Sequence, residues 1–257
     1  MTIPQKLVGK IMATSLSNPV VRIHALNCPK AKTTNLRVVH IIRHAEGFHN
    51  VNNDYKNPDN LDAQLTPHGI SQCKELSQKL EEEKLHVDAI ISSPMRRALQ
   101  TAHHSFGHVF ECQVKRHNVP FVACEHWRET VNYVCDVRLP LSTLSNDFPS
   151  VDFARIEHEH DPIWKVYEEK HGSLDDYQKV RESVDDEGLE KRVRNAWKTI
   201  SERPAIERSI AVVSHSAFFR HMFTRPELVI YEDADVEEYM STGFENCEMR
   251  SVAFEII

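Results

Sequence analysis

Residues 36–42 (LRVVHII) form a short apolar run rich in β-branched side chains, and residues 87–92 (VDAIIS) and 209–214 (SIAVVS) repeat the pattern. Runs of this length that do not alternate with polar residues read as strands buried on both faces. Residues 119–123 and the closing run 249–257 are two further strand candidates. Between the runs the period changes. Ile70, Cys73, Leu76 and Leu80 share one face of a helix that Thr66 caps and Pro67 opens, extending to Glu83. A second helix follows Pro94 and reaches about Ser105, and Leu189, Val193, Ala196, Trp197 and Ile200 mark a third that ends near Pro204. Strands alternating with amphipathic helices predict an α/β fold, a three-layer sandwich with a mainly parallel central sheet flanked by helices.

Two stretches resist this reading. Residues 50–62 are polar and turn-rich, and residues 148–188 carry only short helical signals, at 163–170 and 174–182. The expected organisation is one domain over residues 36–257, with a small helical cap inserted at about 133–188. Residues 1–35 would be an N-terminal extension preceding the first strand.

With 40% hydrophobic and 27% charged residues over 257 positions, the chain can bury a sizeable core. No stretch approaches the roughly 18–20 consecutive apolar residues of a membrane span. A formal charge of −7 argues against general nucleic-acid binding, which rests on a basic face. The six cysteines are scattered without CxxC pairs and follow no apolar signal core, so a reducing, cytoplasmic setting is expected. Residues 1–45 contain no Asp or Glu but include Lys6, Lys10, Arg22 and several hydroxyl residues, a composition that makes a mitochondrial or plastid transit segment the alternative.

Candidate chemistry gathers where the apolar runs end. Arg43-His44 follows the first run directly, at the carboxyl end of its strand, the edge at which open α/β sheets bind ligands. His215 follows the run 209–214 in the same way, and Arg97 stands three residues after Pro94. A neutral imidazole is a competent nucleophile near pH 7 and can carry a phosphoryl group. Planar guanidinium groups neutralise phosphoryl oxygens bidentately without risk of deprotonation. Together these residues describe a phosphate site, with His44 as nucleophile, Arg43 and Arg97 as anion clamps, and His215 as a hydrogen-bond donor.

Four ordered segments, RHAEGFHN at 43–50, DAQLTPHG at 62–69, SSPMRRALQTA at 92–102 and VSHS at 213–216, resemble the histidine phosphatase superfamily, branch 1, of phosphoglycerate-mutase-like fold. The segments CDVR at 135–138, FPSVDF at 148–153 and NCEMRS at 246–251 are similar to its plant and fungal phosphoglycerate-mutase-like subgroup. Trp127 stands where the family usually has leucine, and Ser216 where many members have glycine. The resemblance implies catalytic His44 and His215, with Arg43, Asn50, Arg97, His215 and Ser216 binding the substrate phosphate. Through WRET at 127–130 it nominates Glu129 as proton donor, with Glu125 as the substitute candidate.

The implied activity is metal-independent hydrolysis of a small-molecule phosphate monoester through a phosphohistidine, with no cofactor and no nucleic-acid or membrane partner. The alternatives are a mutase, which returns the phosphoryl group to another hydroxyl, and a silent binding protein of the same fold. The cap arginines Arg138 and Arg155 would either reach a second anionic group of the substrate or form surface ion pairs. Neither His103, His104 and His108 nor the acidic and histidine run 157–161 has a recognised metal-ligand spacing, and no P-loop glycine pattern is present.

Overall fold

The computed structural model describes residues 21–28, 36–111, 119–172, 182 and 187–257. The five predicted apolar runs form β2 (Arg37–Arg43), β3 (Ala89–Ser92), β4 (Phe121–Ala123), β5 (Ser209–Ser214) and β7 (Met249–Ile256). Two shorter strands join them, β1 (Val21–His24) and β6 (Val229–Tyr231). These seven strands make one sheet in the order β4-β3-β5-β2-β7-β1-β6. The pairs β3/β4, β3/β5, β2/β5 and β1/β6 are parallel, while β7 runs antiparallel to both β2 and β1. The sheet is therefore mainly parallel, as the alternation of elements requires.

Successive strand residues feed opposite cores. Val39, Ile41, Ile210 and Val212 point to one face, where they meet Trp197 of α5 (Glu187–Ser201), Phe218 and Phe219 of α6 (Ser216–Phe223) and Met240 of α7 (Ala234–Ser241). Ile42, Ile90, Ala211 and Val213 point to the other, against Leu76 of α1 (Pro67–Glu82) and Leu99 of α2 (Arg96–Glu111). Helices on both faces make the three layers. The Thr66 side chain caps α1, accepting from the Gly69 backbone N–H at 2.9 Å. Gly69 is required for contact: a Cβ there would lie 2.1 Å from the Glu46 carbonyl oxygen.

The sheet begins earlier than expected. Residues 21–24, read as part of an extension, pair with β7 on one side and β6 on the other, with Val21 and Ile23 fully buried. A four-residue strand lies below the length at which periodicity is distinctive. Residues 1–20, which carry most of the transit-segment expectation, lie outside the described residues.

The expected cap is divided. Its first half belongs to the body: Asp152 bridges to Val122 of β4, and Leu144 of α3 (Leu141–Asp147), Val151, Phe153 and Ile156 share the core of α1 and α2. The predicted helical piece at 163–170 is α4 (Pro162–His171), whose Trp164 and Tyr167 form a small separate cluster with Val131. The piece at 174–182 lies, apart from Glu182, outside the described residues.

Candidate active site

The parallel strands β2, β5 and β3 end side by side, and their carboxyl ends carry the chemistry. Register fixes the arrangement: Arg43 pairs with Ser214 and Ser92 with Val213. The ladder continues one step past the strands, since the His44 N–H donates to the Ser214 carbonyl at 2.9 Å and the Ser93 N–H to that of Val213 at 2.9 Å. His44 is also held from behind, its carbonyl accepting from the Cys247 N–H at 3.2 Å and from Asn246 Nδ2 at 3.1 Å.

The His44 imidazole is buried, and its Nδ1 donates to the Ala45 carbonyl oxygen at 2.7 Å. A carbonyl can only accept, so the proton sits on Nδ1 and the lone pair on Nε2. Burial, followed by the charges of Arg97 and Arg43, holds the ring well below the usual imidazole range, so it is neutral near pH 7. The His215 ring lies 5.1 Å from it, centroid to centroid, and is lowered in the same way by burial and Arg97. His215 Nε2 hydrogen-bonds with the Ser93 hydroxyl at 2.8 Å, and its Nδ1 is buried without a partner.

A pocket of about 370 Å³ opens over His44. Arg43, Asn50, Arg97, Glu129 and Ser216 all line it, whereas His215 is completely buried behind its wall. Arg97 is buried, donating from Nη1 to the Cys135 carbonyl at 2.6 Å and from Nη2 to Asp136 Oδ1 at 3.2 Å. Arg43 donates from Nη1 to the Phe244 carbonyl at 2.7 Å. The Nε atoms of both arginines are buried with no partner, an arrangement that an anion's oxygens would complete. Asn50 Oδ1 accepts from the Gly47 N–H at 3.0 Å, which leaves the amide NH₂ as the group that can donate to a ligand.

Glu129 sits over the first turn of α6. Its Oε1 accepts from the Phe218 and Thr130 N–H groups at 2.8 and 2.9 Å, and its Oε2 from that of Ala217 at 3.2 Å. These bonds favour the carboxylate, yet burial first and then the neighbouring Asp136 charge raise the carboxyl above its ordinary range. The like-charge neighbour here is a residue of the protein, where only a bound phosphate was anticipated.

A family model described as histidine phosphatase superfamily (branch 1) matches residues 39–255. The chain belongs to this superfamily. Phosphoglycerate mutase-like protein 1 of Arabidopsis thaliana is 30% identical over 244 residues, covering 84% of this chain and 80% of its own length. A second Arabidopsis phosphoglycerate mutase-like protein is 29% identical over 246 residues, covering 84% and 83%. The solved phosphoglycerate mutase of Bacillus anthracis is 16% identical with a TM-score of 0.49, covering 87% of this chain and 92% of that one. The family model and the Arabidopsis relatives place this histidine phosphatase superfamily member among phosphoglycerate-mutase-like proteins, and its activity class is phosphatase or mutase.

Several expectations are corrected on the superfamily scaffold. Glu125, the substitute proton donor, does not line the pocket: it pairs with Arg128 at 3.3 Å and with Arg138 at 2.6 Å. Arg138 is buried and donates to the carbonyls of Leu139 and His158, so it is a structural cation with no route to substrate. Arg155 pairs with Glu202 at 3.1 Å on the surface, which is one of the two outcomes expected for it. Arg128 grips Asp161 with both Nη atoms at 2.5 and 2.6 Å. Among the described residues no group of three His, Cys, Asp or Glu side chains is arranged to hold a metal ion.

The pocket also contains residues that sequence reasoning missed: His49, Tyr55, Thr130, Tyr133, Asp136 and Arg220. Asp136 lies in the CDVR segment and His49 in RHAEGFHN, so both were in view without a role. Tyr55 and Tyr133 come from loops whose meeting, with ring centroids 5.2 Å apart, no local pattern records.

Proposed function

We propose that the chain is a phosphomonoesterase that hydrolyses a small phosphorylated metabolite through a phosphohistidine at His44, without need of a metal. The observation that carries this reading is the hydrogen bond from His44 Nδ1 to Ala45, which leaves a neutral Nε2 lone pair beside Arg43 and Arg97. In the first step Nε2 attacks phosphorus in line, the bond from phosphorus to the ester oxygen breaks, and Glu129 protonates the departing oxygen. Arg43 and Arg97 neutralise the equatorial oxygens, where phosphoryl transfer concentrates charge. In the second step Glu129 takes a proton from water, the water oxygen bonds to phosphorus, and inorganic phosphate leaves with His44 neutral again. The raised Glu129 carboxyl supports its use as the acid. The convergence of His44, both arginines and Glu129 on one pocket favours an enzyme over a silent scaffold.

A second reading, mutase, is favoured by the names of the Arabidopsis relatives. It shares the first step and differs in the acceptor of the phosphoryl group. The test is to quench the protein in alkaline denaturant during turnover of ³²P-labelled esters, with His44→Ala as the blank. Label stable to alkali and absent from the variant supports the phosphohistidine, and full p-nitrophenyl phosphate hydrolysis by His44→Ala excludes it. Product analysis then separates inorganic phosphate from a rearranged ester.

A further inference from the structure

His49 lines the same pocket and has no place in the mechanism above. It is buried at 4% exposure in the 3-10 turn Phe48–Asn53, with its ring centroid 5.4 Å from that of His44 and 5.9 Å from that of Tyr55. A histidine in an aromatic wall is ordinarily packing, but two observations set this one apart. Its Nδ1 is buried with no hydrogen-bond partner. And the chain makes room for the ring: a Cβ on Gly47 would lie 2.7 Å from both Cε1 and Nδ1 of His49. The ring edge carrying Nδ1 is therefore packed against Gly47, which leaves Nε2 as the nitrogen available to the pocket.

The tautomer follows from cost. A buried N–H without an acceptor is rarer and less tolerable than a bare lone pair, so Nδ1 keeps the lone pair and Nε2 the hydrogen. Burial, with the charges of Arg97 and Arg43, lowers this imidazole to about 2, which keeps it a neutral donor at any working pH. Two imidazoles thus face the pocket in opposite roles: His44 presents a lone pair, and His49 presents an N–H.

We propose that His49 is a further phosphate-contacting residue, donating a hydrogen bond from Nε2 to an oxygen of the phosphoryl group as it passes between substrate and His44. This rests on the phosphatase reading only in naming the group in transit; the prediction that His49 binds phosphate is independent of turnover.

The experiment compares His49→Phe, which keeps the ring and loses the donor, with His49→Gln, which restores an N–H near the position of Nε2. Inorganic phosphate binding is measured by titration calorimetry, kcat/KM with p-nitrophenyl phosphate, and stability by urea unfolding. A hydrogen bond to a charged group predicts about tenfold to a hundredfold weaker phosphate binding and lower kcat/KM in His49→Phe. Most of the loss should return in His49→Gln, with no matching change in unfolding midpoint. Wild-type phosphate affinity in His49→Phe, an equal loss in both variants, or a loss that tracks the unfolding midpoint would overturn the proposal. So would a wild-type protein that binds no phosphate. A wild type that binds phosphate but hydrolyses no ester would instead reject the phosphatase reading, and the comparison of binding would still decide the role of His49.

Discussion

Arg97 Nη2 donates to Asp136 Oδ1 at 3.2 Å, so a guanidinium that lines the pocket is itself held in place. Asp136 Oδ2 accepts from the Asn132 and Tyr133 N–H groups at 3.1 and 2.9 Å, which ties the carboxylate to the backbone. Asp136 has a second effect, because its charge helps to raise the Glu129 carboxyl. In the proposed mechanism the phosphate-binding charge and the proton donor are thus coupled through Asp136, a residue of the CDVR segment.

Asp136→Asn removes that negative charge and leaves Arg97 less compensated, and both changes favour ionised Glu129. A lower Glu129 value means that its acid form is lost at a lower pH. The alkaline limb of the kcat/KM profile should therefore move to lower pH, while the acid limb is less affected. A pH profile with the limb in its original place would refute the coupling.

Glu129→Gln keeps most of the shape over α6 and removes the transferable proton. The loss should depend on the leaving group. Alkyl phosphates, whose alkoxide needs protonation, should slow by about 10²–10⁴. p-Nitrophenyl phosphate, which leaves as a stable phenolate, should slow far less in the phosphorylation step. Single-turnover rates on the two esters give the comparison, and equal losses would point to a binding role for Glu129.

Arg128 holds the site from outside the pocket. Its Nη atoms bind Asp161 and the Asp136 carbonyl, and it is almost wholly buried. Arg128→Met strands the Asp161 charge in the interior and should cost about 3–5 kcal/mol in urea unfolding. Burial alone would raise Asp161, but the ion pair with Arg128 and its backbone hydrogen bonds lower it overall. A depressed folded value means that the pair's stabilisation is complete above the unfolded value of about 3.9 and fades as pH falls through the folded one. The wild type should lose stability steeply below about pH 4, and Arg128→Met, already without the pair, less steeply.

Ile23 tests the place of the N-terminal strand. It is fully buried between β7 and β6, so Ile23→Ala should cost about 2–5 kcal/mol, the range for an emptied core position. Ile206→Ala, at a position 81% exposed, is the control and should change little. A neutral result at Ile23 would return residues 21–24 to the extension.

Much of the site was legible because His44 and the arginines lie within or just beyond apolar runs whose strand character is plain, whereas Asn50 was legible through the resemblance. A buried strand must end somewhere, and polar residues such as Arg43-His44 at its end are conspicuous. Glu129 was legible only through the resemblance, since nothing local distinguishes it from Glu125. What separates them is three-dimensional: Glu125 turns to Arg128 and Arg138, and Glu129 turns to the free N–H groups of α6. The two cap arginines part for the same reason: Arg155 forms the surface ion pair that was one of its alternatives, and Arg138 is buried, because a cation's partner is chosen by packing and not by spacing.

The sequence by itself determined five of the seven strands, the helices α1, α2, α4 and α5, the parallel class of the sheet and the residue types needed for phosphate chemistry. These follow from periodicity and side-chain chemistry, which act over a few positions. Only the tertiary structure decided that residues 21–24 complete the sheet, that half of the supposed cap is core, and that His49, Asp136 and Arg220 join the pocket. Those outcomes depend on contacts between segments as much as 233 positions apart, such as Arg22 with Glu255 at 2.9 Å. The tautomer of His44 also belongs there, because a ring nitrogen's proton is set by the atom it meets, here the Ala45 carbonyl, once the fold has brought them together.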